Sequence, residues 1–318
     1  MQKYSFLFLF VLISNFGNSQ SNDSITVQNY QTKNGEIFSY KKPRLFEPIL
    51  CLPKDVALSA IAMTKTNNII ALGAATFATT ALVPVDEYFI DKSRDIGYKL
   101  HFKEVARYRN FGPISIIPTD ASSAIYLIGN GATPLIMGMG FATYGLIKND
   151  YRSLNVASGL VEGILTTGVF SQTIKRVTGR QSPEPAYTQG TGNGDWNLFP
   201  SFASYAKDTP NYDAMPSGHM MTATATLYII AENYPDKKWI KPLGWSLIGV
   251  MGFQMAQSKV HWVSDYPIAL VMGYIIGKNI ANNKIEKSGS KTAEKKYTLK
   301  LQANRLENFN MIGTKITF

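Results

Sequence analysis

Six long, largely uncharged stretches lie in the central part of this chain, and each is long enough to form a helix. They are rich in Gly, Ala, Thr and Ser, the small residues that let helices pack closely. Only two acidic residues interrupt them, Glu162 and Asp265. The stretches are residues 66–85, 121–147, 154–174, 216–231, 243–258 and 260–277. We therefore predict an all-α fold, a helical bundle of about six core helices over residues 54–283.

The two ends of the chain differ from this central part. The first residues, MQKYSFLFLFVLISNFGNSQ, combine Lys3, an apolar run too short to span a bilayer, and small residues at Gly17 and Ser19. This pattern predicts a signal peptide at 1–19 and export to the periplasm or cell envelope. We expect a flexible arm at 20–53, with Cys51, the single cysteine, in the core. The basic tail, 284–318, alternates like strands and predicts a short β-hairpin.

Whether the stretches span a membrane depends on how the loop charges are distributed. Basic residues between the stretches would share one face, as in cytoplasmic loops; they are Lys148, Arg152, Lys237, Lys238, Lys241, Lys278 and Lys284. An exported N-terminus followed by three crossings would leave Lys175 inside, which contradicts that arrangement. Mean hydropathy is also only −0.07. We favour a compact exported bundle that rests on the membrane, and the sequence leaves open whether it is peripheral or embedded.

One of the three histidines lies at the start of an apolar stretch, in DAMPSGHMMTATA. There His219 follows Pro216, Ser217 and Gly218. A glycine allows the backbone to approach a ligand, and the free N–H groups and dipole of a helix start favour an anion. Ser217 can cap that helix or donate to an oxygen. The turn predicts a phosphate cradle beside a histidine, with an ordinary capped helix start as the alternative.

A second histidine, His261, precedes Asp265 by four residues in SKVHWVSDYP, so both would share one helix face. A carboxylate that holds an imidazole in one tautomer makes the other nitrogen a better nucleophile or base. The alternative is a capping aspartate beside a buried histidine. Two of the three histidines in such settings favour the catalytic interpretation.

Basic residues close the third stretch, in IKRVTGRQSPEP. Lys175, Arg176 and Arg180 could simply stabilise the C-terminus of a helix. To bind phosphate they would have to face His219 and His261.

In this order the three segments resemble the motifs of a superfamily that unites type 2 phosphatidic acid phosphatases, bacterial class A acid phosphatases and vanadium haloperoxidases. The first family motif is a Lys, six residues and Arg-Pro, matched here at Lys175 and Pro183. The second is Pro-Ser-Gly-His, matched at 216–219. The third is Ser-Arg, five residues, His, three residues and Asp, matched at His261 and Asp265. The resemblance covers about residues 66–278.

This resemblance implies a helical bundle with its site at one end. His261 would attack phosphorus and form a phosphohistidine, Asp265 would orient it, and His219 would protonate the leaving oxygen. Three groups would hold the phosphoryl oxygens: Lys175, Ser217 and the Gly218 N–H. No metal or other cofactor would be needed. The loop at 190–213 would cover the site and select the leaving group.

Both arginines of the family motifs are missing here. Ser182 stands at the first position, and Gln254 with Met255 replaces the Ser-Arg pair. Losing one preorganised donor costs about a hundred- to a thousandfold in rate. We expect Lys259 and Arg180 to take over phosphate binding, Lys259 from the helix face of Met255 and Arg180 from an extended segment before Ser182.

These observations predict a phosphoric ester hydrolase of the acid or lipid phosphatase type. Its substrate would be a phosphorylated lipid or a small phosphoester, and its net charge of +10 also suits an anionic membrane surface. We expect no nucleic acid as a partner. The missing arginines leave two alternatives, a silent or weakened relative that acts as an envelope binding protein and a vanadate-dependent haloperoxidase. The sequence gives no oligomeric state.

Overall fold

The computed structural model describes residues 27–112, 114–288, 298–306 and 309–317, so the predicted signal peptide lies outside them. Most of the described chain is helical, which confirms the predicted all-α fold. In chain order the helices are α1 (Glu47–Leu50), α2 (Leu52–Met63), α3 (Thr66–Leu82), α4 (Asp86–Lys99), α5 (Ala121–Leu127), α6 (Ala132–Lys148), α7 (Tyr151–Thr178), α8 (Pro183–Gln189), α9 (Phe202–Lys207), α10 (Gly218–Asn233), α11 (Ile240–Gln257) and α12 (Tyr266–Lys284).

The six uncharged stretches correspond to α3, α6, α7, α10, α11 and α12, with two differences. Residues 121–147 form two helices, α5 and α6, that meet at a bend of 73°. Residues 260–265 precede α12 as a loop and a short 3-10 turn, Val263–Asp265, so His261 and Asp265 do not lie on a helix. Proline at the second position of α12 fits a helix that begins there.

Small residues set the spacing between α10 and α12 in the core. A Cβ on Gly273 would lie 2.4 Å from the Met221 carbonyl oxygen, and one on Gly277 would lie 2.5 Å from that of Ala225. Such distances leave no room for any side chain. Around this contact the apolar core is made of buried residues from α7, α10, α11 and α12, including Leu160.

The long helix α7 runs the length of the bundle. It begins after Asp150, whose side chain accepts a hydrogen bond from the Ser153 N–H. It ends at Gly179, which has a φ of +50° and where a Cβ would meet the Asn197 carbonyl oxygen at 1.8 Å. Only glycine fits this turn, because both the left-handed backbone and the close carbonyl exclude a side chain. The turn at Gly179 therefore packs directly against the 190–213 loop.

The bundle has two chemically different ends. At one end, which we call the site end, α7 finishes and α10 and α12 begin. At the other, the basic end, Ser153 of α7 and Tyr234 after α10 are joined by a 2.9 Å hydrogen bond. The basic end also holds Lys284, which pairs with Glu162 at 2.9 Å, and the loop that contains Lys237.

Apolar side chains cover much of the outer surface. Two helical segments, Thr66–Lys99 and Tyr151–Thr178, are long and apolar enough to cross a membrane, and the bent pair α5 and α6 would be a third if it forms one span. Only Ala75 and Thr79 of α3 are buried. The exposed apolar residues of α3 and α6 include Ile69, Ile70, Phe77, Leu135, Ile136, Met139, Leu146 and Ile147. This surface is that of a membrane-associated protein.

The N-terminal segment is better packed than a flexible arm. Strands β1 (Val27–Gln31) and β2 (Ile37–Lys41) form an antiparallel hairpin, and β2 also pairs with β5 (Glu286–Ser288). Phe38 and Tyr40 are buried against Tyr151 and Leu154 of α7. Their burial explains why the polar composition misled the prediction, since two aromatic side chains suffice to dock a short hairpin. Cys51 lies half-buried between α1 and α2 rather than in the core.

Strands lie elsewhere only in two antiparallel pairs among the described residues. One pair is β3 (Tyr108–Phe111) with β4 (Ile114–Pro118), and the other is β6 (Thr298–Leu306) with β7 (Phe309–Thr317). The second pair is the hairpin that the alternation of the basic tail predicted.

Candidate active site

The two histidines singled out in the sequence meet at the site end. The Nδ1 atom of His219 lies 3.4 Å from the Nε2 atom of His261, and the two rings cross at 69°. They come from different elements, His219 from the first turn of α10 and His261 from the loop after α11. The fold therefore joins the second and third motifs into one site.

The first turn of α10 places His219 beside a helix N-terminus. Ser217 caps the helix by accepting a hydrogen bond from the Met220 N–H at 3.3 Å. A Cβ on Gly218 would lie 3.4 Å from Ser171 Oγ and 4.0 Å from Lys175 Nζ, so glycine leaves space between the helix start and these two polar groups. This space is where a phosphoryl group could accept from Lys175 and the free N–H groups.

Burial, together with smaller contributions from the nearby His261 and Lys175, lowers the pKa of His219 to about 3. Its ring also packs edge-on against Tyr126, with 5.1 Å between ring centroids. His219 is therefore neutral in the unliganded protein at any physiological pH. A bound phosphate would favour its protonated form, because the negative charge would replace the lost hydration.

A main-chain carbonyl fixes the tautomer of His261. Its Nδ1 atom lies 2.9 Å from the Ala214 carbonyl oxygen, which can only accept, so Nδ1 carries the proton. The Asp265 Oδ2 atom is more distant from Nδ1, at 3.6 Å. With its proton on Nδ1, His261 presents the lone pair of Nε2 to the Nδ1 side of His219. This is the form that a nucleophile needs.

Arg180 does not line this space. Its side chain is fully buried and binds Asp265 Oδ1 at 2.6 Å and Asp86 Oδ2 at 2.8 Å. It also donates to Ser264 Oγ at 2.6 Å, and the rings of Trp196 and Trp262 flank it. These contacts remove Arg180 from the expected phosphate-binding set and make it a partner of Asp265. The sequence could not show this, because both carboxylates lie far from Arg180 along the chain.

Lys175 is the cation that the structure places next to the histidine pair. It is almost fully buried, and its Nζ atom lies 3.5 Å from Asp213 Oδ2. Asp213 also accepts a hydrogen bond from Ser182, the residue at the position of the family's first arginine, at 3.3 Å. A carboxylate thus occupies part of the region where the family pattern has a second cation.

The other expected replacement, Lys259, faces a different direction. Its Nζ atom lies over the ring of Tyr187, 5.8 Å from the centroid, and its carbonyl oxygen accepts from the Glu184 N–H. Gln254 is fully buried and donates to the Lys103 carbonyl oxygen, and Met255 is part of the apolar core. The structure brings neither Lys259 nor the third-motif pair into contact with the histidines.

Four further residues line the candidate site, and sequence reasoning did not single them out. Ser171 lies one helical turn before Lys175 and faces Gly218, a spacing that could have pointed to it. Asp213 and Ala214 immediately precede the second motif. Tyr126 lies on α5, and no local pattern in the sequence marks it. Among the residues that the structure describes, no group of three or more His, Cys, Asp or Glu side chains is arranged to hold a metal ion.

Comparison with known proteins is consistent with this geometry. Residues 157–284 match the family model described as PAP2 superfamily, a segment that includes Lys175, His219, His261 and Asp265. Among curated proteins none matches the chain. Among solved structures the chain is similar to the first transmembrane PAP2 type phosphatidylglycerolphosphate phosphatase from Bacillus subtilis, with 16% identity over 75% of this chain and 94% of that chain. The TM-score of that match is 0.29, so it carries no structural argument.

Proposed function

We propose that this chain is a PAP2-superfamily phosphatase that hydrolyses lipid phosphates through a phosphohistidine. The match of residues 157–284 to that family model supports the proposal. The observation that carries this proposal is the tautomer of His261. Its Nδ1 atom donates to the Ala214 carbonyl oxygen, and its Nε2 atom lies 3.4 Å from Nδ1 of His219, the residue that follows Gly218. A nucleophile with a free electron pair therefore faces a site built for an anion.

The proposed reaction has two steps. In the first, His261 Nε2 forms a bond to phosphorus as the bond to the leaving oxygen breaks, and His219 passes a proton to that oxygen. In the second, water attacks the phosphohistidine, its proton goes to His219, and free phosphate leaves. Lys175 and the α10 N–H groups stabilise the charge on the phosphoryl oxygens in both steps. We propose that these groups suffice without a metal ion.

An apolar groove supports a lipid as the substrate. It has a volume of about 780 Å³ and lies between α6, α10 and α11. One face of α10 lines it from Ala223 to Ile230, Tyr234 continues this wall beyond the helix, and Ile128 lines the end nearest the site. A Cβ on the next residue, Gly129, would lie 2.8 Å from the Cβ of His219, so the groove begins beside the histidine pair. A lipid chain could lie there while its phosphate reaches His261.

The loop over the site end also favours a membrane substrate. Leu198, Phe199 and Phe202 are 64%, 71% and 80% exposed. They lie close to the turn at Gly179, at the end of α7 that carries Lys175. Exposed aromatic and apolar side chains at one end of a bundle suit the membrane interface. We propose that the loop holds the site against the membrane surface from the exported side.

Hydrolysis of a panel of esters without added metal tests this function. Purified protein, treated with a chelator, would be given a lipid phosphate, a lipid diphosphate and a soluble aryl phosphate. We expect phosphate release to be greatest with a lipid, and His261→Ala to abolish it. His101→Ala is the matched control, because the exposed His101 lies outside the site and should leave the rate unchanged.

The silent-relative alternative also has an observation in its favour. Lys175 is paired with Asp213, and Arg180 is held by Asp86 and Asp265, so the described site carries little free positive charge. A binding protein would be less affected by this small amount of free positive charge than a phosphatase. A haloperoxidase would be affected most, because it has to retain the vanadate anion. Absence of phosphate release from every ester in the panel, with the protein folded, would favour the binding protein.

A further inference from the structure

A residue from outside the matched family segment completes the network behind the nucleophile. Asp86 is the first residue of α4, it is fully buried, and it lies 94 residues before its partner Arg180. Its Oδ2 atom accepts from Arg180 at 2.8 Å and from Ser264 Oγ, and its Oδ1 atom accepts from the Ser264 N–H at 3.0 Å. None of the three motifs contains this residue.

The charges of this network do not cancel. Asp86, Arg180 and Asp265 are each fully shielded from solvent, so two carboxylates share one guanidinium. Without Asp86, Arg180 and Asp265 would form a neutral pair. With Asp86 present, a net negative charge remains beside His261, whose Nδ1 lies 3.6 Å from Asp265 Oδ2. Such a charge is felt strongly there because little water screens it.

We propose that Asp86 is a positioning residue of this active site, which shares the charge of Arg180 and so leaves Asp265 negative toward His261. The negative charge would stabilise the positive charge that the imidazole acquires as Nε2 binds phosphorus. The inference rests on the proposed function only in the role it gives to His261. The electrostatic effect on the ring holds whether or not the protein turns over an ester.

Arg180 also acts on His261 through its main chain. The Ala214 N–H donates to the Arg180 carbonyl oxygen at 2.9 Å, and the Ala214 carbonyl oxygen in turn accepts from His261 Nδ1. Arg180 thus holds both groups that face Nδ1. Its main-chain carbonyl binds Ala214, and its side chain binds Asp265. By binding the guanidinium, Asp86 helps to hold Asp265, the partner that acts on His261 through its charge.

Few other titratable groups face this network within the part of the chain that the structure describes. Tyr266, the first residue of α12, lies near both Asp86 and Asp265. On the other side of the imidazole are His219 on α10 and Lys175 on α7, with Asp213 beside the lysine. The neighbouring Glu87 is exposed to solvent. A change of charge at Asp86 therefore reaches His261 mainly through Arg180 and Asp265.

Titration of the histidine ring resonances by NMR tests the inference without requiring activity. The chain has only three histidines, so His261→Ala and His101→Ala assign the signals. We expect Asp86→Asn to lower the pH at which His261 titrates by roughly 0.5 to 1 unit, from the loss of one partly screened charge. Asp86→Ser makes the same charge change with a smaller side chain and gives a second measurement if the first variant folds poorly.

Glu87→Gln is the matched control, because it removes the same charge one residue away on an exposed side chain. We expect it to leave the His261 titration within about 0.2 units of the unmodified protein. In an active preparation, Asp86→Asn should lower kcat about tenfold with little change in KM, and Asp86→Glu should restore most of it. An unchanged or raised titration pH in Asp86→Asn and Asp86→Ser would overturn the proposal. If the unmodified protein hydrolyses no ester but the titration still shifts in the Asp86 variants, only the proposed function is contradicted.

Discussion

At His261 a main-chain carbonyl holds the Nδ1 proton, and this leaves Nε2 as the nitrogen that can react. The carboxylate of Asp265 accepts a hydrogen bond from Arg180 at 2.6 Å and one from the main-chain N–H of Trp262 at 2.9 Å. Asp265 thus acts on the imidazole more by its charge than by a hydrogen bond. On the other face, His219 is neutral, because burial lowers its pKa to about 3.

The low pKa of His219 predicts an acidic optimum. A base with a pKa near 3 is deprotonated in the free protein from about pH 4 upward, so the proton for the leaving oxygen has to arrive with the substrate. Phosphate monoesters are monoanions below a second pKa of about 6. We expect kcat/KM for a lipid phosphate to fall about tenfold per unit above that pH. A rate that rises between pH 6 and 8 would contradict this route for the proton.

The same assignment predicts how His219→Ala depends on the leaving group. A good leaving group such as nitrophenolate needs little protonation, whereas an alkyl alcohol needs a full proton. We expect the variant to retain far more activity on nitrophenyl phosphate than on an alkyl phosphate, as measured by kcat/KM for both. His101→Ala serves as the control with no difference between the substrates. Equal losses for both esters would remove the general-acid role.

Two lysines that the sequence assigns to phosphate binding should now behave differently. Lys175 lies beside Gly218, whereas Lys259 lies over Tyr187. We expect Lys175→Met to lower kcat/KM by about a hundred- to a thousandfold, the usual effect of losing a transition-state donor. Lys259→Met should change it by about twofold or less, since a cation on a partly exposed ring contributes little. A large loss in Lys259→Met would show that this side chain moves to the phosphate on binding.

At the scale of the helices, the small residues do two different things. On α12 they bring its backbone against α10, as at Gly273 and Gly277. On α11, Gly249 has open space where a Cβ would be. Composition alone treats these glycines as equivalent, yet only the first two are required by packing.

The difference between these glycines predicts that replacement by alanine changes the free energy of unfolding in opposite directions on α12 and α11. Gly277→Ala would push a methyl group to 2.5 Å from the Ala225 carbonyl oxygen, so we expect a loss of about 1–3 kcal/mol in the free energy of unfolding. Gly249→Ala should raise it by up to about 1 kcal/mol, because alanine restricts the unfolded chain and meets nothing in the folded one. Thermal unfolding in one detergent compares the two. Similar melting temperatures for both variants would contradict the close contact.

For the whole molecule, the outer surface argues for a bundle embedded in a membrane. The number of crossings, compared with the side on which the basic loops would lie, favours an exported bundle that only rests on the membrane. In the structure the N-terminal hairpin lies at the basic end, since the Lys33 N–H donates to Asp236 in the Lys237 loop at 3.1 Å. The hairpin and the basic loops therefore share one side, and the histidines lie at the other end. The exposed apolar side chains of α3 and α6 are unfavourable in water and would be stabilised by contact with lipid.

Carbonate extraction tests the embedding. We expect the chain to remain in the membrane fraction at high pH and high salt and to enter solution only with detergent, because α3 and α6 expose apolar residues along their lengths. A variant with Ile70→Lys and Phe77→Lys should be extracted more easily, as both side chains are more than half exposed. Full release of the unmodified chain by carbonate would instead support the resting bundle.

The sequence by itself determined the helices and singled out the groups to which we assign the reaction. Uncharged stretches long enough for a helix, and short motifs such as the Pro-Ser-Gly-His turn, are local features. The order of the amino acids is therefore enough to single out His219, His261 and Lys175. Only the tertiary structure decided what holds them. Arg180 looked like a phosphate ligand because its charge is evident from the sequence and its partners are not. The fold brings Asp86 from α4 and Asp265 from beyond α11 to the same guanidinium, and a buried charge binds whichever opposite charges the fold places beside it.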